Sequence, residues 1–345
     1  MVTSHTTIKH PPACELCGTA DARQLWSLSF EGHPGEFILW QCQFCKVVFN
    51  WPRLPPEAVH DQYDGSYYVF NSPTERCWSR AVQTYVSLLG PLETRCPAGR
   101  LLDVGCARGH LLALARGRGW RVEGVELARE AAALASAEFD LTVRTGTIED
   151  HAEQIGPFDV VIATDVIEHV TSPRRFVQAV KRVLAPGGWA IIETPNWGGW
   201  WRRLGGRRWL GLNRFHLFLF DERSLSRLIE ECGLAVSAKM SLTSTGGVDW
   251  AWRPELAPLS DSLPPALEWR SRRLLSWATP RSMARDLHQK PPRSLDESLA
   301  RVERLLANEH QKQVSTRLNG DNLAVIARAE ARGSLSETGL SEALT

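Results

Sequence analysis

The chain lacks a charge imbalance. Over 345 residues, 40 lysines and arginines face 39 aspartates and glutamates, for a formal net charge of +1. A general electrostatic footprint for nucleic acid needs a clear basic excess, so only a local basic patch stays open. No apolar run approaches the roughly 20 residues that span a bilayer. The first twelve residues, MVTSHTTIKHPP, hold no apolar core of the secretory-signal kind. These absences lead to the expectation of a cytoplasmic protein. Its eight cysteines are then expected to be reduced or metal-bound, not disulfide-paired. Tyrosine is scarce: there are four, and Tyr63, Tyr67 and Tyr68 crowd into one short stretch. The length admits one large domain or two modest ones.

One stretch organises the rest, Leu101 to Glu126, LLDVGCARGHLLALARGRGWRVEGVE. An apolar run carrying Asp103 stops at Gly105, and Gly109 follows. A short apolar helical segment comes next, and a second apolar run ends in Glu126. The order strand, glycine turn, helix, strand, acid is the first half of a nucleotide-binding α/β sheet. A dinucleotide fingerprint would need a third glycine to let the backbone approach a pyrophosphate, and none is present. A nucleoside without phosphate suits the turn better. A domain binding NAD, or binding nothing, stays open on this turn alone.

Asp103-x-Gly105-x-x-x-Gly109 resembles the first motif of class I S-adenosylmethionine-dependent methyltransferases, and Glu126 resembles the acid that holds the two ribose hydroxyls. The later segments continue the likeness. FDVVIAT (Phe158–Thr164) is near-continuously apolar, as expected for a parallel strand buried on both faces. DVIEHV, then SPRRFVQAVKRVLAPGGWAIIETPN, resembles the later motifs of the same enzymes. The fold expected is α/β, a Rossmann-like seven-stranded methyltransferase sheet. The resemblance implies S-adenosylmethionine as cofactor, held by Asp103, Gly105, Cys106, Gly109, Glu126, Leu127, Thr147, Ile148 and Asp165. Thr147 stands where the family often has an acid for the adenine amino group, with Asp150 nearby as a substitute. Ligands in open α/β sheets sit beyond the carboxyl ends of the strands; Gly105, Glu126, Thr147, Asp165 and Asn196 all fall there.

Ahead of this core, Cys14-x-x-Cys17 and Cys42-x-x-Cys45 form two paired knuckles. Four thiolates so paired suit a structural, tetrahedral Zn2+ with no position left for water, on a zinc-ribbon-like segment; a redox CxxC is the alternative. Residues 1–56 are assigned to this segment. Residues 57–98 are an aromatic and helical linker, read either as packing or as a cap with Tyr67 or Tyr68 near the cofactor. The core is assigned to 99–242, a helical insertion to 243–318, the last strand to 319–330 and a mobile tail to 331–345. Within the insertion, helices are expected at Ala266–Trp277 and Leu295–Glu309, beside the active site or at a dimer contact.

Trp197 to His216 holds four tryptophans, five arginines and five glycines. It reads as a lid over the acceptor, with Asn196, Trp197, Arg214 and His216 as substrate contacts. It reads equally as a structured insertion, and a further reading sets it against an anionic membrane surface. The zinc segment and core together resemble the sugar C-methyltransferases and related saccharide and natural-product enzymes, implying a small-molecule, sugar or glycan acceptor. His169 is the candidate base and Glu168 its orienting partner. The C-methyltransferases tend to carry tyrosine where Val166 stands, so O-methylation is at least an equal expectation. An RNA methyltransferase and a non-catalytic protein retaining the cofactor fold are the rival readings.

Overall fold

The computed structural model of the chain describes residues 11, 13–30, 37–53, 73–93, 95–209, 211–242, 291–307 and 320–331. Tyr67, Tyr68, the expected helix Ala266–Trp277 and residues 332–345 lie outside the described residues.

Seven strands form the main sheet: β4 (Arg100–Val104), β5 (Arg121–Glu126), β6 (Val143–Thr145), β7 (Phe158–Thr164), β8 (Leu184–Pro195), β10 (Ala235–Leu242) and β11 (Asn322–Arg328). Their order is β10-β11-β8-β7-β4-β5-β6. Only β11 runs against its neighbours, antiparallel to both β8 and β10; the β4, β5, β6, β7 and β8 pairings are parallel. This is the expected Rossmann-like methyltransferase sheet. The chain leaves β4 in one direction for β5 and β6 and later returns on its other side as β7, so the gap between β4 and β7 is a topological switch point.

Side chains alternate across the sheet. Leu101, Val160, Ile162, Ile191 and Ile326 pack on one face with α1 (Thr74–Thr84), α2 (His110–Gly117) and α8 (Leu295–Ala307). Leu102, Val161, Ala163, Ile192 and Val325 face the other way, toward α5 (Pro173–Val183) and α7 (Glu222–Glu231). The period of two in these strands thus supplies both cores. Pro173 opens α5, but Ser172 makes no side-chain cap. Asp221 caps α7 in a reciprocal box with Ser224. The helical part of the expected 57–98 linker is α-helical from Thr74 to Thr84 and continues as a π-turn, Tyr85–Leu89. α8, from the insertion, packs against α1 and α2, with Leu299 and Leu306 against Gly117 and Gly90.

The N-terminal segment forms its own sheet from β1 (Ala22–Leu28), β2 (Phe37–Cys42) and β3 (Val48–Asn50). The fourth strand, β9 (Phe218–Leu219), comes from the core region and pairs with β3. Against this sheet lies the tryptophan-rich loop with its short helix α6 (Trp200–Gly205). Trp197 and Trp209 are buried with Phe37, Leu39 and Val48, and Arg202 stacks over the Trp197 ring at 3.8 Å. Trp200 and Leu204 on α6 are 52% and 73% exposed. Two of the loop's four tryptophans are therefore core, which favours the structured-insertion reading for Trp197 and Trp209. No helix among the described residues is long and apolar enough to cross a membrane.

Candidate functional site

Two turns leave the switch point in strained backbone. Gly105 and Gly109 have φ of 76° and 75°. A Cβ on Gly105 would stand 2.5 Å from Val166 Cγ2, and one on Gly109 2.7 Å from Leu141 Cδ1, so both positions need glycine. Ala107 and Asp165 are left-handed without being glycine, at φ 47° and 53°. Such conformations gather at ligand sites, and these stand at the ends of β4 and β7.

Several of the predicted cofactor residues stand at these strand ends. The Glu126 carboxylate accepts N–H bonds from Ala107 at 2.7 Å and Ala128 at 2.8 Å. One acid thus ties the glycine turn to the loop beyond β5. Asp103 is buried under the same turn; burial, then the Glu126 charge, pushes its carboxyl up to about 8. Cys106 packs beneath it, with Sγ 2.7 Å from where a Gly124 Cβ would stand. Thr147 and Asp150 form a reciprocal capping box on the short helix Ile148–His151, so Thr147 is held by Asp150 while Ile148 is buried.

Beyond β7 and β8 lies a second group. Arg80 of α1 reaches over to pair with Asp165. Asn322 donates to Glu193 at 2.6 Å. Neither Arg80 nor Glu193 was anticipated from the sequence: Arg80 sits on a linker helix, and Glu193 falls inside an apolar strand. Five carboxyl groups, on Asp103, Glu126, Asp165, Glu168 and Glu193, gather at the carboxyl end of the sheet, and Arg80 is the cation that lowers the pKa of Asp103, Glu168 and Glu193. Such an excess of buried acid suits a cationic ligand, and the donor set fits a sulfonium nucleoside with vicinal hydroxyls.

Glu168 is fully buried. Its Oε2 accepts the Thr194 hydroxyl at 2.9 Å, and its backbone carbonyl accepts the N–H groups of Leu217 and Phe218. Desolvation pushes its carboxyl up to about 8. His169 and His216 lie against it, their rings edge to face at 4.7 Å. The His169 Nδ1 bonds the Phe215 carbonyl and the His216 Nδ1 the Gly211 carbonyl. Burial drives His169 down to about 4 and His216 well below its usual range, so both are neutral. Of the predicted acceptor residues, His216 joins this cluster. Asn196 is buried and braces the chain end of β8 through the Gly320 carbonyl. Trp197 packs into the N-terminal sheet, and Arg214 lies over the Phe215 ring at 4.8 Å.

The four knuckle cysteines converge. Cys14 and Cys45 sulfurs are 3.6 Å apart, and Cys17 and Cys42 3.5 Å; all four lie within 4.8 Å of one another. Tetrahedral Zn–S bonds of about 2.3 Å place sulfurs roughly 3.8 Å apart, so the donor set fits zinc. The Cys14–Cys45 contact lowers one thiol and raises the other, as sulfurs sharing a proton must.

Comparison with known proteins agrees with this geometry. Residues 76–239 match a family model described as a methyltransferase domain. The ubiquinone biosynthesis O-methyltransferase of Burkholderia multivorans (strain ATCC 17616 / 249) is 38% identical over 162 residues, 45% of this chain and 61% of that protein. The enzyme of that name from Caulobacter sp. (strain K31) is 40% identical over 103 residues, 28% and 41% respectively. The chain spans about half the length of the curated relatives it matches. Among solved structures, phosphoethanolamine N-methyltransferase 2 of Haemonchus contortus, in complex with S-adenosyl-L-methionine, aligns at TM-score 0.45 and 15% identity over 82% of this chain and 62% of that one. The switch-point glycines and the strand order agree with the family match: residues 76–239 are similar to a methyltransferase domain, and a four-cysteine segment that fits a zinc site precedes them.

Proposed function

We propose that the protein transfers a methyl group from S-adenosylmethionine to a hydroxyl oxygen of a small-molecule acceptor. The observation that carries this reading is the Glu126 carboxylate, fixed by two backbone N–H groups at the lip of the glycine turn. Its remaining lone pairs are free to accept both hydroxyls of a ribose. Bound S-adenosylmethionine supplies a methyl carbon on a sulfonium, and transfer forms an oxygen–carbon bond as the carbon–sulfur bond breaks with its electrons going to sulfur.

The chain's own part is to bind, orient and manage one proton. Gly105 and Gly109 let the backbone close under the nucleoside, and the buried acids favour its positive charge. Arg80 must part from Asp165 or share it when a second cation enters. The acceptor hydroxyl loses its proton near the Glu168–His169–His216 cluster, with His169 the expected acceptor of it and Glu168 the group that orients His169. Relatives named as O-methyltransferases, together with Val166 in place of a tyrosine, support oxygen over carbon as the nucleophile. Sugars and glycans remain within the acceptor class proposed. The structural role of zinc belongs to the same proposal.

Titration calorimetry with S-adenosylmethionine tests the reading. One molecule per chain at micromolar affinity is expected. An absence of heat at millimolar ligand removes the enzyme reading and leaves a fold that has lost its cofactor.

A further inference from the structure

We propose that Glu168, His169 and His216 form a second metal site, which binds a divalent transition-metal ion at the carboxyl end of β7. This inference rests on the methyl-transfer reading and gives it a way to activate the acceptor.

Three donors point at one spot. Glu168 Oε1 lies 3.7 Å from His169 Nε2 and 4.0 Å from His216 Nε2, and the three ligand atoms lie within 4.8 Å of one another. Metal bonds of about 2.0–2.2 Å hold ligand atoms roughly 3–3.6 Å apart, so shifts of at most about 1–2 Å bring all three onto one ion. The Glu168 carboxyl is fully buried, and its Oε1 has no hydrogen-bond partner among the described residues. A buried acceptor left so is costly, and a cation there removes the cost.

The ring orientations are those of ligands. Each histidine bonds a backbone carbonyl through Nδ1, Phe215 for one and Gly211 for the other. A carbonyl can only accept, so the proton sits on Nδ1 and the lone pair on Nε2, the atom nearest the carboxyl. A second shell of this kind fixes the tautomer of metal-binding histidine. Glu168 is steadied in turn by the Thr194 hydroxyl. At His216 the Nε2 lies 2.9 Å from the Asn213 amide nitrogen; a bound ion displaces that amide, a side-chain rotation on a loop.

The ligand set names the ion class. Two imidazoles and one carboxylate suit Zn2+, Fe2+, Co2+ or Ni2+ better than Mg2+ or Ca2+. Three protein ligands leave at least one coordination position, as catalytic sites do and the four-cysteine site does not. An acceptor oxygen in that position is polarised and gives up its proton to solvent more readily. With the ion bound, His169 acts as its ligand in place of the base role proposed above, and in either role its loss slows turnover.

The test counts metal in the full chain. After dialysis against buffered Zn2+, elemental analysis is expected to find two zinc ions per chain: one in the cysteine site and one here. Glu168→Gln and His216→Gln should each retain one, while Cys42→Ser loses the other. Cobalt separates the sites further: Co2+ added to protein given one equivalent of zinc, which fills the four-cysteine site first, should give ligand-field absorption without thiolate charge transfer, at least tenfold weaker in affinity for His216→Gln. One zinc per chain in the unmodified protein, with no thiolate-free cobalt spectrum, overturns the proposal, whether or not the variants fold. A chain that binds S-adenosylmethionine but holds one zinc loses this inference alone. A chain that binds no S-adenosylmethionine loses the methyl-transfer reading whatever its zinc count.

Discussion

Glu126 shows how much one carboxylate can organise. It accepts two backbone N–H bonds from separate loops and still faces the place of a ribose. Glu126→Ala removes both functions, so a charge-assisted bond of about 1.5–3 kcal/mol is lost. Cofactor affinity is expected to fall roughly 10- to 100-fold by calorimetry. His169→Ala should behave in the opposite way. Its ring lies against Glu168 and His216 rather than at the glycine turn, so cofactor affinity stays within about twofold while turnover drops on the order of 100-fold. A normal rate in this variant removes the assignment. Arg80 carries a third expectation. It is the cation paired with Asp165 and is 57% exposed at its side chain, so Arg80→Ala should perturb the site more than the fold. Melting temperature should hold within a few degrees while cofactor affinity changes measurably; an unchanged affinity places Arg80 outside the site.

Elements differ in how plainly the sequence announced them. β7 and β11 stand out because strands buried on both faces are near-continuous apolar runs, and β4 and β5 because glycine or acid marks their ends. The two cysteine knuckles stand out because metal ligation needs fixed residue types at short spacing. β1 did not stand out: ARQLWSL is half exposed, so no strong alternation marks it. β9 is two residues long and gains its meaning only from β3, some 170 positions earlier. That pairing also explains why His216 lands beside Glu168. Leu217 and Phe218 donate to the Glu168 carbonyl while β9 docks on the sheet that carries the cysteine knuckles. Arg53 adds a clamp, pairing with Glu15, reaching the Thr171 carbonyl and lying 4.2 Å over the Phe218 ring. The cysteine segment is thus a brace for the loops that hold the cluster. Cys42→Ser, or chelation of the protein, is expected to lower the melting temperature and to cut turnover at least tenfold, since a small metal-dependent segment does not hold its shape alone. Cofactor affinity should move far less, because Glu126 is held by the N–H groups of Ala107 and Ala128 and not by that segment. An equal loss in both would show that the brace supports the entire sheet.

At the scale of the molecule, buried titratable groups make stability depend on pH in a direction that can be worked out. Asp103 is held at about 8 in the folded chain, against roughly 3.9 when unfolded. Between these values the folded state keeps a proton that the unfolded state has lost, so stability falls as pH rises from about 4 to about 8. Glu168, also at about 8, acts with the same sign. His110 has the opposite sign. Packed between Trp78 and Phe139, it is driven by burial down to about 4, below its unfolded value of roughly 6.5. The unfolded state then binds the extra proton, and stability rises from about pH 4 to 6.5. The two trends oppose each other below pH 6.5; above it the histidine contribution is complete and, with the cysteine site loaded so that the lowered Cys14 thiol does not titrate, the acids set the slope. The melting temperature of the ligand-free chain should therefore decline from about pH 6.5 to 8 and level off beyond. Asp103→Asn should flatten part of that decline, because an amide of the same shape has no proton to lose. Saturating S-adenosylmethionine should flatten it too, since a cation at the switch point favours the ionised acids. A wild-type chain whose melting temperature rises through pH 6.5 to 8 would mean that these carboxyls are already ionised and paired, and that the charge excess at the carboxyl end of the sheet is balanced from within the protein.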